Sequence, residues 1–272
     1  MTDERRAVDP QIVDNVLRDT QAPDPVRRVL VKRAALGAAG MGAAALLAAC
    51  GGSSKAKSSS SGGGSTGTTS ATSTTSSGAS DVKTLIDTAI TAEALAVTYL
   101  SGVIENAKGT KVEPFAKVLK AANAEEYRHY QVLKSLGATP LTTKFWAPDA
   151  FFGPGLSGVF PTLEVAETLF VNAYLIGIDT FVSAGKPDYA RYAGEILGTE
   201  AEHLALARYA QGKLPNNLGF MDYSVTSIDG IVSALEGAGV GFGKQGSKPG
   251  KFYEFKAPPS STVTSISGKQ PS

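Results

Sequence analysis

The sequence predicts an all-α fold: a four-helix bundle with one long crossover between its second and third helices, preceded by a signal peptide and a disordered linker. Three observations carry that reading. Four segments place apolar residues at intervals of three and four, the period of a helix with one buried face. The segments are joined short, long, short, as in a bundle whose chain crosses lengthwise once. Finally, a glutamate followed by Glu-x-x-His occurs twice, the copies offset by 74 residues.

Composition sets the outer limits. The 272 residues carry 26 Lys+Arg against 25 Asp+Glu, with 42% apolar and 8% aromatic side chains, which excludes a collagen-like or wholly disordered chain. In residues 51–80, however, 25 of 30 positions are Gly, Ser or Thr, and such a tract cannot build a core. The 192 residues that follow suffice for one domain of ordinary size. Outside residues 1–49, which hold seven basic and six acidic residues, the charges balance at 19 each, so no basic stripe for nucleic acid is expected. The single cysteine excludes an intramolecular disulfide, a Cys-rich zinc site and a Cys-x-x-Cys electron-transfer pair.

Residues 1–50 read as an address. Arg27-Arg28-Val29-Leu30-Val31-Lys32-Arg33 precedes the sixteen uncharged residues Ala34–Ala49, fewer than the roughly 20 that a membrane span needs. Charged region, apolar region and small residues follow in the order of a signal peptide. With Arg27 and Arg28 paired, the segment resembles a twin-arginine export signal; general secretion is the alternative route. Leu47-Ala48-Ala49-Cys50 resembles a bacterial lipobox, in which the cysteine is acylated and becomes the mature N-terminus. Each buried CH₂ contributes about 0.8 kcal/mol, so a lipidated Cys50 would hold the protein on a membrane, with residues 51–80 as its tether.

Asp81–Ala107 carries Ile86, Ile90, Val97, Leu100 and Ile104 on one stripe, with Glu93 inside it. Glu113–Leu136 does the same with Phe115, Leu119, Ala122, Leu133 and Leu136 around Glu126 and His129. In Pro161–Ala184, Leu163, Phe170, Tyr174, Ile178 and Phe181 surround Glu167. Pro187–Lys213 places Tyr189, Ala193, Ile196, Ala207 and Ala210 around Glu200 and His203. Pro114, Pro161 and Pro187 each fall in a first turn, where the missing N–H costs nothing. Links 108–112 and 185–186 are short enough to force antiparallel neighbours, whereas Gly137–Phe160 runs for 24 residues. A structureless loop of that length needs a reason, and a crossover along the bundle supplies one. Beyond the predicted bundle of 81–213, Ser227–Leu235 reads as a short helix, 238–259 as an extended wrap and 260–272 as a polar tail.

The chemistry concentrates in six residues. Each of the two histidines has a glutamate three positions earlier, giving Glu126 with His129 and Glu200 with His203. Each pair has another glutamate 33 positions upstream of its own, Glu93 and Glu167. Residues i and i+3 share a helix face, so each Glu-x-x-His aims a carboxylate and an imidazole at one point. Two such helices and one glutamate from each of the others make four carboxylates and two imidazoles, the donor set of a di-iron or di-manganese site in a bundle. Four carboxylates would neutralise two divalent cations, and without metal they would be a costly cluster of like charge. Glu164 is a rival to Glu167 but has Ile90 as its repeat mate, and is expected at the rim. Glu125 and Glu202 lie off the stripe and are expected in solvent. Tyr99, Tyr127, Tyr130 and Tyr174 are expected mainly as packing residues.

On these residues, positions 81–213 resemble the ferritin-like superfamily, and more narrowly the ferritin-like proteins exported to bacterial envelopes. The resemblance implies that Glu93, Glu126 and His129 hold one metal, and Glu167, Glu200 and His203 the other, with Glu126 and Glu200 bridging. It further implies two Fe ions (alternatively Mn), O₂ or peroxide as substrate, and oxidation of the ferroxidase type. A lipid tether on every subunit fits poorly with a closed iron-storage shell. The alternative is a non-catalytic, metal-stabilised envelope lipoprotein, a stress- or desiccation-associated binding module.

Overall fold

The computed structural model describes residues 75–263. The export signal, Cys50, and residues 51–74 of the linker lie outside them. Four long helices dominate: α1 (Thr75–Glu105), α2 (Ala116–Ser135), α3 (Val159–Ser183) and α4 (Pro187–Ala210). A shorter α5 (Ile228–Ala238) and strands β1 (Lys144–Pro148), β2 (Gly241–Phe242) and β3 (Gly250–Glu254) complete the main elements. The described residues are therefore mostly helical, with one small sheet.

The ends follow local chemistry. Pro187 opens α4, and Pro114 lies in a 3₁₀ turn ahead of α2, where no N–H is required. Ser227 caps α5 by accepting a hydrogen bond from the Gly230 N–H at 3.2 Å. Gly185, in the tight α3–α4 link, has φ +67, a conformation glycine adopts without a steric penalty. α1 is described from Thr75, six residues before the expected Asp81.

α1 packs on α2, and α3 on α4, with α1 also against α3 and α2 against α4. Two apolar clusters divide the length of these helices. One takes Val82–Ala94 side chains from α1, Tyr130 and Leu133 from α2, Leu169–Phe181 from α3 and Ala193 and Ile196 from α4. The other takes Tyr99, Leu100 and Val103 from α1, Leu119 from α2, Val159 and Leu163 from α3 and Ala207 from α4. α1 and α4 thus run from the first cluster to the second, and α2 and α3 run back. Because α2 and α3 share a direction, the segment joining them must return along the helices.

That segment is not structureless. β1 lies at the centre of an antiparallel sheet in the order β2-β1-β3, with Phe145 opposite Phe242 and Tyr253, and Trp146 opposite Gly241 and Phe252. Phe145 is fully buried. The Thr139 N–H donates to Asp87 of α1 at 2.8 Å, and the Leu141 N–H to Thr91 Oγ1 at 2.9 Å, so the crossover is strapped to α1. The C-terminal region, expected as a short helix over Ser227–Leu235 and then an extended wrap, forms α5 where the helix was expected, supplies both outer strands and adds Ile231, Ala234, Leu235 and Val240 to the first cluster. α3 is long and apolar enough to cross a membrane, but half of that stretch is buried in the fold, as befits a helix packed against α1, α4 and α5.

Candidate metal centre

Between the two apolar clusters lies one polar layer. α1 supplies Glu93, α2 Glu126 and His129, α3 Glu167, and α4 Glu200 and His203, all buried, with Glu126 and Glu200 at 0% exposure. Their polar atoms form two overlapping groups: Glu93, Glu126, His129 and Glu200, and Glu126, Glu167, Glu200 and His203. Within each group one ligand atom per residue lies within 4.8 Å of every other. All six residues singled out from the sequence meet here, and Glu126 and Glu200 belong to both groups.

Both rings turn Nδ1 inward. His129 Nδ1 lies 3.1 Å from Glu200 Oε1, 3.3 Å from Glu126 Oε2 and 3.6 Å from Glu93 Oε2. His203 Nδ1 lies 3.1 Å from Glu126 Oε1, 3.3 Å from Glu200 Oε2 and 3.9 Å from Glu167 Oε2. One ring N–H cannot serve three carboxylates, and the short contacts to Glu126 Oε1 and Glu200 Oε1 miss hydrogen-bonding direction. As a result, Glu93 Oε2, Glu126 Oε1, Glu167 Oε2 and Glu200 Oε1 are buried without a hydrogen bond. One orphaned oxygen on each of four buried glutamates is a costly arrangement for protein alone.

Protons take up part of the imbalance. Burial, and then the neighbouring Glu126 charge, push the carboxyls of Glu93 and Glu167 well above the usual range. Burial would likewise raise Glu126, but the hydrogen bond from His129 and the close His203 imidazole outweigh it and leave Glu126 lowered. Burial opposes charge on both imidazoles. The Glu200 charge and the Glu126 hydrogen bond nevertheless hold His129 high, and the hydrogen bond to Glu125 with the Glu126 carboxylate beside Nδ1 does so for His203. The raised carboxyls and imidazoles thus favour holding protons where cations would offset the same negative charge.

The surroundings revise some expectations. Glu125 is not simply in solvent: its side chain is 34% exposed, and its Oε2 accepts from His203 Nε2 at 2.9 Å. Such a bond fixes the ring so that Nδ1 faces the cluster. No pattern along the chain marks it, because Glu125 lies beside the apolar stripe and its repeat mate is Thr199. Tyr174 does more than pack: its buried hydroxyl donates to Glu93 Oε1. Tyr99 instead donates to the Phe151 carbonyl at 2.7 Å, and Tyr127 and Tyr130 stack beside Phe255. Glu164 is outside the cluster, held by Arg208, Gln211 and Lys213, and Glu202 is exposed.

The donor set fits a metal. Six buried oxygen and imidazole donors without a thiolate suit Fe, Mn or another divalent ion, and the unpaired oxygens are the atoms a cation would satisfy. The arrangement could hold a metal ion. No family model, curated protein or solved structure matches the chain, so the functional reading rests on the site itself.

Proposed function

We propose that the protein is a ferritin-like four-helix-bundle protein with a dinuclear metal centre, held at the bacterial envelope by a lipid on Cys50 after export through the Arg27-Arg28 signal. The observation that carries this reading is the sharing of Glu126 and Glu200 by two otherwise separate donor groups. Glu93 and His129 would complete one metal position, and Glu167 and His203 the other. The shared direction of α2 and α3 and the lengthwise crossover support the fold assignment.

A pair of Fe(II) ions (alternatively Mn) would supply two electrons to O₂ or peroxide, the basis of ferroxidase-type oxidation. The chain's own groups have distinct tasks. The four carboxylates offset the cation charge, and the two imidazoles must release protons as they ligate. Glu125 orients His203 and Tyr174 steadies Glu93 through the bonds described, while the apolar clusters above and below bury the layer. The alternative, a non-catalytic metal-stabilised lipoprotein, would share the ligands and lack the oxidation.

Metal analysis and oxygen consumption on the Fe(II)-loaded full chain separate these readings. Two ions per chain and Fe(II)-dependent O₂ uptake are expected. Glu126→Ala with Glu200→Ala should abolish tight binding of both ions, because each carboxylate serves both positions. Two tightly held ions in that double variant would refute the proposed site.

A further inference from the structure

The second donor group is not sealed. Of the six clustered residues, Glu167 and His203 alone line a pocket of about 180 Å³. Leu100, Leu119, Leu163 and Ala207, one from each long helix, form its apolar walls. Val118 and Tyr209, 38% and 63% exposed, stand where it meets solvent. The pocket therefore leads from the surface to the buried carboxylate and imidazole of one proposed metal position.

The walls decide what can occupy it. A hydrated cation moving along them would lose water ligands with no oxygen to replace them before Glu167. A neutral apolar molecule would instead gain by leaving water. A dry engineered cavity of about 150 Å³ holds benzene, so this pocket has room for one small substituted ring or a short alkyl segment.

We infer that the pocket between Val118 and Glu167 binds a neutral apolar organic molecule with its inner end against Glu167 and His203, beside one position of the dinuclear centre. Its place beside a metal rests on the proposed metal reading; its ligand preference rests on its walls. Ala122 also lines it, four residues after Val118 on the same face of α2. A tryptophan at either position should fill the space without touching a clustered residue's identity.

Toluene is a suitable probe, titrated calorimetrically into the full chain, metal-free and loaded with Co(II), with cobalt stoichiometry measured on the same samples. Saturable binding is expected, weakened about tenfold or more in Ala122→Trp and in the surface variant Val118→Trp, whose mouth position protects folding. The visible spectrum of the Co(II)-loaded protein should change with toluene in the parent chain and not in Ala122→Trp. Bound cobalt without saturable toluene binding would overturn the pocket and leave the metal reading standing. Toluene binding that Ala122→Trp and Val118→Trp abolish, in a chain that holds no cobalt, would uphold the ligand preference and overturn the metal reading. Unchanged toluene affinity in both folded variants would place the ligand elsewhere and overturn the inference.

Discussion

His203 is held from both sides, by Glu125 at Nε2 and by the buried cluster at Nδ1. Partners that orient a ligating imidazole commonly contribute a factor of about 10–100 in metal affinity. Glu125→Gln should therefore weaken one of the two metal positions by about that factor and spare the other, which has Thr199 at the equivalent repeat position. Competition titration with a chelator would resolve two unequal steps; equal weakening of both, or of neither, would contradict the assigned role. The protons on the metal-free site give a second prediction. Glu93 and Glu167 titrate above their ordinary 4.5, and His129 and His203 above their ordinary 6.5. Each binds more protons folded than unfolded between its ordinary and raised values, so its stabilising contribution is full below the ordinary value and lost as pH rises through the raised one. Glu126, lowered, acts in reverse and loses its contribution only as pH falls below 4.5. The melting temperature of the metal-free protein should consequently fall as pH rises above 4.5, and more steeply above 6.5. Metal loading should reverse that slope, because ligation removes the same protons. Parallel thermal melts with and without chelator would show it.

Helices were legible because their determinants are local: stripes at three and four residues name the buried face, and the 74-residue repeat names the six residues of the polar layer. The sheet was hidden for the opposite reason. β1 is five residues long and its partners lie about a hundred residues onward, so no window of sequence contains the pairing. Glu125 was missed because its role depends on the neighbouring α4, which a pattern along α2 cannot register. Element junctions offer a test with two signs. Gly158 caps α3, and a Cβ there would lie 2.3 Å from the Ala150 carbonyl oxygen and 3.0 Å from that of Phe151. Gly158→Ala should cost about 1–3 kcal/mol, as overpacking against backbone does. Gly198, inside α4, has open space at its Cβ position, so Gly198→Ala should stabilise by about 0.4–1 kcal/mol. Urea unfolding midpoints should move in opposite directions, with little change in slope.

At the scale of the whole chain, the proposed anchor and the proposed metal site constrain each other. Twin-arginine export, from the resemblance, carries folded cargo, so a site that requires metal would be filled before the protein leaves the cytoplasm. Cys50→Ser should move the protein from membrane to soluble fractions because the acyl chains are lost. Replacing Arg27 and Arg28 by Lys should leave folded, metal-bearing precursor inside the cell. Membrane retention of the Cys50→Ser protein would point to a different anchor, and normal export of the Arg27→Lys, Arg28→Lys protein to the general route.

The sheet also sets a clock for biosynthesis. Phe145 must pair with Tyr253, 108 residues later, and loop closure over such a distance is slow compared with helix formation. α1 to α4 are complete when residue 210 has been made, yet both edges of β1 remain unpaired until β2 and β3 follow. A nascent chain therefore carries an open strand template across its crossover for the last stretch of synthesis, a target for mispairing between neighbouring chains. Only arrival of β2 and β3 removes it, which makes residues 241–254 the segment that commits the whole molecule to its fold.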